Sequence, residues 1–403
     1  MFDDPPTLGL PSGAPTRQAA GGFRRDRATW TSYLALALFS YFLSIQGNIL
    51  PFLRDELGLS YGAASLCPAA LAIGLIVCGL IGERVVAWLG RGEALALGLV
   101  GACAGAALLG LATTAAVSVA GCLLIGAPGG LVLVVTPAAL AERRGAADRA
   151  IAFGEANAAS YAASLVATVA MGLFVASGVS WRGGLALGVE LAAIVLARCA
   201  GEAFPPARRR GGTRPARLPA AYWAYWATLV CVIALEYGAL LWCPEVLERV
   251  QGLSRAGAAM AAAAFSAAML TGRLFAAPLL RRVAAQRLFL ASLALTLPGF
   301  LLYWGARQPA LSVVGLFALG LGIALLYPLT LGFAIGAAGE REDAASARAS
   351  LASGVAILSA PLALGALADA AGLQRACLLL PALAAAASLC FAAARTLERR
   401  ARA

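Results

Sequence analysis

Apolar runs long enough to cross a lipid bilayer recur twelve times along this chain, at roughly 30–53, 61–82, 93–112, 115–140, 150–176, 183–200, 221–243, 256–280, 287–305, 310–336, 345–370 and 373–394. A helix rising about 1.5 Å per residue covers a hydrocarbon core about 30 Å thick with segments of this length. With 61% hydrophobic residues and 13% charged, the chain cannot solvate the surface of a water-soluble domain. The expected class is an all-α membrane protein with twelve transmembrane helices.

All 31 basic residues are arginine; lysine and histidine do not occur. If the first segment enters from the cytoplasm, only Arg54, Arg182, Arg249, Arg255, Arg307 and Arg375 fall on the opposite side, and the other 25 of the 31 stay inside. Such a bias predicts an inner or plasma membrane protein with both termini cytoplasmic. The net charge of +11 then needs no nucleic acid to explain it. Arginines beside a membrane meet anionic lipid.

Residues 1–28 are rich in Pro and Gly without an apolar core, and read as a disordered cytoplasmic tail rather than a cleaved signal peptide. The nine cysteines lie within or at the ends of apolar segments and read as small packing residues, with no disulfide framework and no metal site. No cofactor is implied, and the chain is expected to be a monomer.

Residues 201–220, dense in Arg, Pro and Gly, separate the sixth segment from the seventh. The expected organisation is a six-helix bundle at 29–200, a cytoplasmic linker at 201–220, a second six-helix bundle at 221–396 and a short tail at 397–403. A faint echo supports two pseudo-repeats: Glu142 and Arg143 after the fourth segment correspond to Glu340 and Arg341 after the tenth, followed by Arg149 and Arg348. Parallel six-helix repeats are a transporter plan with the solute site near the midplane, between the halves. On the third segment Gly98, Gly101 and Gly105 share a face, and Gly74, Cys78 and Gly82 line part of the second; both are expected to serve close helix packing.

The end of the second segment and its loop read GLIGERVVAWLGRGE, residues 79–93. This resembles the loop between helices 2 and 3 of the major facilitator superfamily, with Gly79, Glu83, Arg84, Gly90 and Arg91 at the motif positions. Glu stands for the commoner Asp, and about one extra turn precedes Gly90. SWRGG at 180–184 adds to the likeness, which covers nearly the whole chain. The resemblance implies a transporter working by alternating access, with this loop as a cytoplasmic latch whose carboxylate meets the dipole of the eleventh helix. A finer likeness, in ALEYGALLWCPEVL (234–247) and AAMLTGRL (267–274), is to the fucose-permease branch. Signatures of drug and proton antiporters are missing: the fourth segment has no arginine and the fifth lacks Gly-Pro-Gly-Gly.

A charge near the bilayer centre costs about 2.5–3.5 kcal/mol even on lenient scales, so each one must pair, face water or titrate. Glu236, beside Tyr237 and ahead of Trp242, lies about two-thirds through the seventh segment, which in the superfamily lines the cavity. It is the candidate proton carrier. Arg273 in the eighth is a candidate for contact with substrate or a carboxylate, against simple snorkelling to the interface. Glu155 and Asn157 lie near the cytoplasmic end of the fifth and are candidates for gating or proton movement. Glu190, central in the sixth, reads by default as a contact to a neighbouring helix. Tyr41, Ser44 and Asn48 share one face of the first segment, a cavity-lining position in the family. GAPGG (126–130) and YPLT (327–330) are expected to loosen the fourth and tenth helices, and Tyr327 is a candidate substrate contact.

These residues point to a secondary active transporter of a small organic solute with a proton as second partner, in symport. A passive facilitator, an efflux pump and a transporter-like receptor are the alternatives. Enzyme chemistry lacks its usual groups: there is no His, no HExxH and no GxSxG, and without Lys no nucleotide-binding loop of the GxxxxGKS type.

Overall fold

The computed structural model describes residues 25–142, 146–199, 218–338 and 342–402. Most of the expected N-terminal tail, the arginine-rich linker at 201–217 and the echoing arginines Arg143 and Arg341 lie outside them, as does the side chain of Arg149.

Eleven helical spans are long and apolar enough to cross a membrane. They are α1 (Arg27–Leu57), α2 (Tyr61–Leu89), α3 (Arg91–Gly110), α4 (Ala115–Leu140), α5 (Ile151–Ala176), α7 (Ala220–Arg249), α8 (Arg255–Leu274), α9 (Ala285–Gly305), α10 (Pro309–Ala338), α11 (Leu351–Ala371) and α12 (Leu373–Arg400). The twelfth crossing is α6 (Arg182–Cys199), whose apolar character is diluted by Arg182, Glu190 and Arg198. An even number of crossings puts both chain ends on one face, here the terminal face; the other is the far face.

Local chemistry sets the helix ends. Asp26 accepts from the Thr29 amide at 2.9 Å to start α1, and Ser60 and Ser254 cap α2 and α8 in the same way. Gly58, at φ 62°, ends α1 in the left-handed conformation that glycine adopts without cost. The seventh helix runs six residues past the expected 243, which moves Glu236 to mid-helix, sixteen residues from Ala220 and thirteen from Arg249. The expected tail at 397–403 is largely the end of a helix that continues to Arg402. The eighth segment, expected at 256–280, stops at Leu274, and a separate short helix, Ala276–Arg282, follows.

Both expected weak points are real. The fourth crossing breaks at Ala127–Gly129, around Pro128, and the tenth at Ala324–Leu325, just ahead of Tyr327 and Pro328. Proline removes a backbone donor and crowds the carbonyl four residues back.

Packing repeats with a six-helix offset. In the first half α1 lies on α4, α5 and α6, α2 on α4, and α3 on α4 and α6; in the second, α7 lies on α10, α11 and α12, α8 on α10, and α9 on α10 and α12. The halves meet along three seams, α1 with α7, α2 with α11 and α5 with α8. The expected small-residue face on α3 packs on α4: a Cβ on Gly105 would sit 2.6 Å from the Gly121 carbonyl oxygen, and one on Gly101 2.3 Å from Pro128 Cγ. Each seam also contains a glycine toward the far face. A Cβ on Gly47 would lie 2.9 Å from Leu240 O, one on Gly365 2.8 Å from Tyr61 O, and one on Gly172 3.0 Å from Met260 N. Backbone approach this close seals the bundle at the far face.

Candidate functional site

Polar side chains bridge the halves at mid-depth. Tyr161, at the middle of α5, donates its hydroxyl to Glu236 Oε1 at 2.9 Å. Arg273 of α8 places its guanidinium 4.6 Å above the Tyr161 ring, with one Nη 3.8 Å from Glu236 Oε2. Their side chains are 11% (Glu236) and 13% (Arg273) exposed, so Arg273 turns inward rather than snorkelling to the interface. Tyr237 and Tyr327 are the next polar neighbours of the pair. Toward the far face, Ser44 of α1 donates to Ser164 of α5 at 2.7 Å, and Ser164 shares a 3.0 Å hydrogen bond with Ser266 of α8.

An acid and a base from the second half are therefore joined through one tyrosine of the first. Ionised Glu236 accepts from the tyrosine and faces the guanidinium.

The other expected residues are placed as follows. Asn48 donates to Thr168 Oγ1 at 3.3 Å, and its own Oδ1 is buried without a hydrogen bond among the described residues. Tyr41 differs from the expected shared face: its hydroxyl donates to Gly184 O at 2.6 Å, tying α1 to α6 within the first half. Trp242 is buried, its ring 5.8 Å from that of Tyr61 across the α2 boundary, and its Nε1 has no hydrogen-bond partner among the described residues. Asn157 donates to Phe153 O of its own helix. Glu155 is held by Arg25 Nε and one Nη, at 2.9 and 2.5 Å, and by the Tyr33 hydroxyl at 3.1 Å, toward the terminal end of the first half. Glu190 departs from the expected helix contact: it is exposed on the outer wall of α6, with no hydrogen bond or ion pair among the described residues. In the loop motif, Glu83 and Arg84 are exposed, Arg91 is buried, and Gly90 adopts φ 89°.

Sequence reasoning missed an ion-pair network on the far face. Arg54 of α1 meets Glu245 of α7 at 2.7 Å, and Glu245 is only 3% exposed. Asp55 meets Arg249 at 2.5 Å and also Arg255, which in turn is bonded to Glu248 at 2.9 Å. The Arg54 guanidinium stacks 4.3 Å over Tyr61. On the second seam Asp369, near the end of α11, accepts from the amides of Tyr61 and Gly62 at 2.8 and 2.7 Å, at the positive end of α2. A cavity of about 500 Å³ lies among Arg54, Asp55, Tyr61, Arg249 and Asp369. Four of the six arginines expected on this side are therefore ion-paired here, the fourth being Arg182 with Glu56 at 2.9 Å.

Twelve crossings in two repeating halves, with buried charge where they meet, define a multi-pass membrane transporter. The chain belongs to the Major Facilitator Superfamily, whose sequence profile matches residues 32–254 and 218–403. No curated protein matches the sequence. Among solved structures, a bacterial homologue of the human lysosomal transporter Spinster, inward-facing and unoccupied, superposes with a TM-score of 0.72 at 15% identity, covering 93% of this chain and 98% of that one. The nucleoside transporter NupG gives 0.75 at 14%, covering 92% and 100%. A D-xylose-proton symporter gives 0.70 at 16%, covering 92% and 96%. At these identities the likeness establishes the fold.

Proposed function

We propose that this protein is a proton-coupled secondary active transporter of a small organic solute, with Glu236 as the proton carrier. The observation that carries the reading is the Tyr161–Glu236–Arg273 junction: a titratable carboxylate, desolvated, at the middle of the seam on which the halves move. A charge there is tolerated only when compensated, so gain and loss of a proton change the energy of the seam itself. Among its structural neighbours is a proton symporter, which agrees with this reading.

The far-face ion pairs hold the halves together on one side, and the loop motif carrying the exposed Glu83 and the buried Arg91 lies on the other. In alternating access the two latches are used in turn. Purified protein in liposomes is expected to accumulate its solute when a pH gradient is imposed, and to stop when a protonophore dissipates it. Flux indifferent to the gradient indicates a passive facilitator.

Arginine asymmetry supports a cytoplasmic terminal face. On a background lacking the native cysteines, a cysteine at exposed position 307 is expected to react with an impermeant thiol reagent added outside intact cells, and one at position 282 to be protected. The reverse pattern overturns the orientation.

A further inference from the structure

We propose that the solute is a carboxylate-bearing organic anion, bound by Arg273 and carried together with the proton on Glu236. This deepens the transporter reading above and rests on it.

Arg273 has unused hydrogen-bonding capacity. A guanidinium offers five N–H donors in a planar fork, yet Arg273 makes no hydrogen bond among the described residues. Its Nε is buried without a partner, and its one carboxylate neighbour stands at 3.8 Å. The far-face arginines show what a satisfied guanidinium looks like here: Arg54 donates to Asp55 at 2.9 Å, and Arg255 holds Glu248 through Nε and Nη at 3.0 and 2.9 Å. Arg273 is thus a desolvated cation with its fork empty, and the geometry that fills such a fork is a bidentate carboxylate.

Charge balance sets the rest. The groups facing the guanidinium are Glu236 and Tyr237 of α7, Tyr161 of α5 and Tyr327 of α10, and among the described residues no second carboxylate lies within ion-pair distance. With Glu236 ionised the pair is neutral, and an added monoanion leaves one buried negative charge uncompensated. With Glu236 protonated, Arg273 and the monoanion balance. Anion and proton therefore enter together, one for one and without net charge movement. An organic cation meets the guanidinium's repulsion, and a phosphate dianion leaves a surplus negative charge.

The test is thermal stabilisation of the full-length protein in detergent, at mildly acidic and mildly alkaline pH, by equal concentrations of acetate, L-lactate, benzoate, inorganic phosphate, D-xylose, uridine and choline. A carboxylate is expected to give the largest shift, larger at acidic pH. Arg273→Gln is expected to abolish it, and Arg273→Lys, which keeps the charge but not the fork, to weaken apparent affinity about tenfold, the equivalent of about 1.4 kcal/mol. Overturning results are no shift with any carboxylate, a larger shift with phosphate, xylose, uridine or choline, or a carboxylate shift unchanged in both variants. Should Arg273→Gln fail to fold, the lysine variant decides. In liposomes, carboxylate flux that ignores the pH gradient defeats proton coupling and leaves the anion site standing. Gradient-driven flux of a neutral solute does the opposite.

Discussion

Glu236→Gln protein in liposomes is expected to lose uphill accumulation while retaining exchange of solute between two pools at equal pH. A one-unit pH gradient stores about 1.4 kcal/mol per proton, which at one proton per solute supports about tenfold accumulation; in the variant the ratio falls to about one. The amide mimics the protonated acid: it keeps a hydrogen-bonding group for the Tyr161 hydroxyl but cannot release a proton. Exchange needs only the loaded carrier to reorient, and net uphill transport needs the proton to leave. Glu155→Gln is the control. Its carboxylate is 31% exposed and already engaged by Arg25 and Tyr33 at the terminal end, so accumulation is expected to persist. If Glu236→Gln accumulates like the parent, Glu236 is structural and Glu155 becomes the proton site. If both match the parent and flux ignores pH, the facilitator reading stands.

Glu245→Ala is expected to open the far face. Removing one partner of a buried ion pair costs about 3–5 kcal/mol because the remaining charge is left uncompensated. Arg54 keeps contacts with Asp55 at 2.9 Å and with Tyr61, so the lower end of that range applies. About 3 kcal/mol shifts a two-state population by roughly 150-fold. The measurement is the labelling rate, from the far side, of Ser266→Cys on a background lacking the native cysteines. Ser266 is buried in the α5/α8 seam below the network, so its reactivity reports opening. Asp369→Asn acts on the α2/α11 seam, and because that carboxylate is exposed its effect is expected to be only a few-fold. Unchanged labelling in Glu245→Ala would show that the close glycine contacts alone seal the face.

Much of the architecture was legible in the chain because its causes are local. A run of apolar residues satisfies its own backbone hydrogen bonds only as a helix in lipid, so eleven of the twelve crossings follow from length and composition. Proline breaks a helix where it stands, and the interruptions around Pro128 and before Pro328 were legible for that reason. The deep charges Glu236 and Arg273 stood out because charge is expensive in hydrocarbon. Which groups meet was another matter. Tyr41, Ser44 and Asn48 share a helical face by spacing, yet Ser44 and Asn48 meet α5 while Tyr41 meets α6, because one face of a packed helix touches more than one neighbour. Tyr161 carried no signal of its own, since a tyrosine among small residues reads like any packing aromatic; its role depends on a partner 75 positions away. The far-face acids resembled ordinary polar loop ends, and Asp55 finds Arg255 across 200 positions. Burial and opposite charge act through distance in space, which helix packing decides, and along the sequence they leave no period to read.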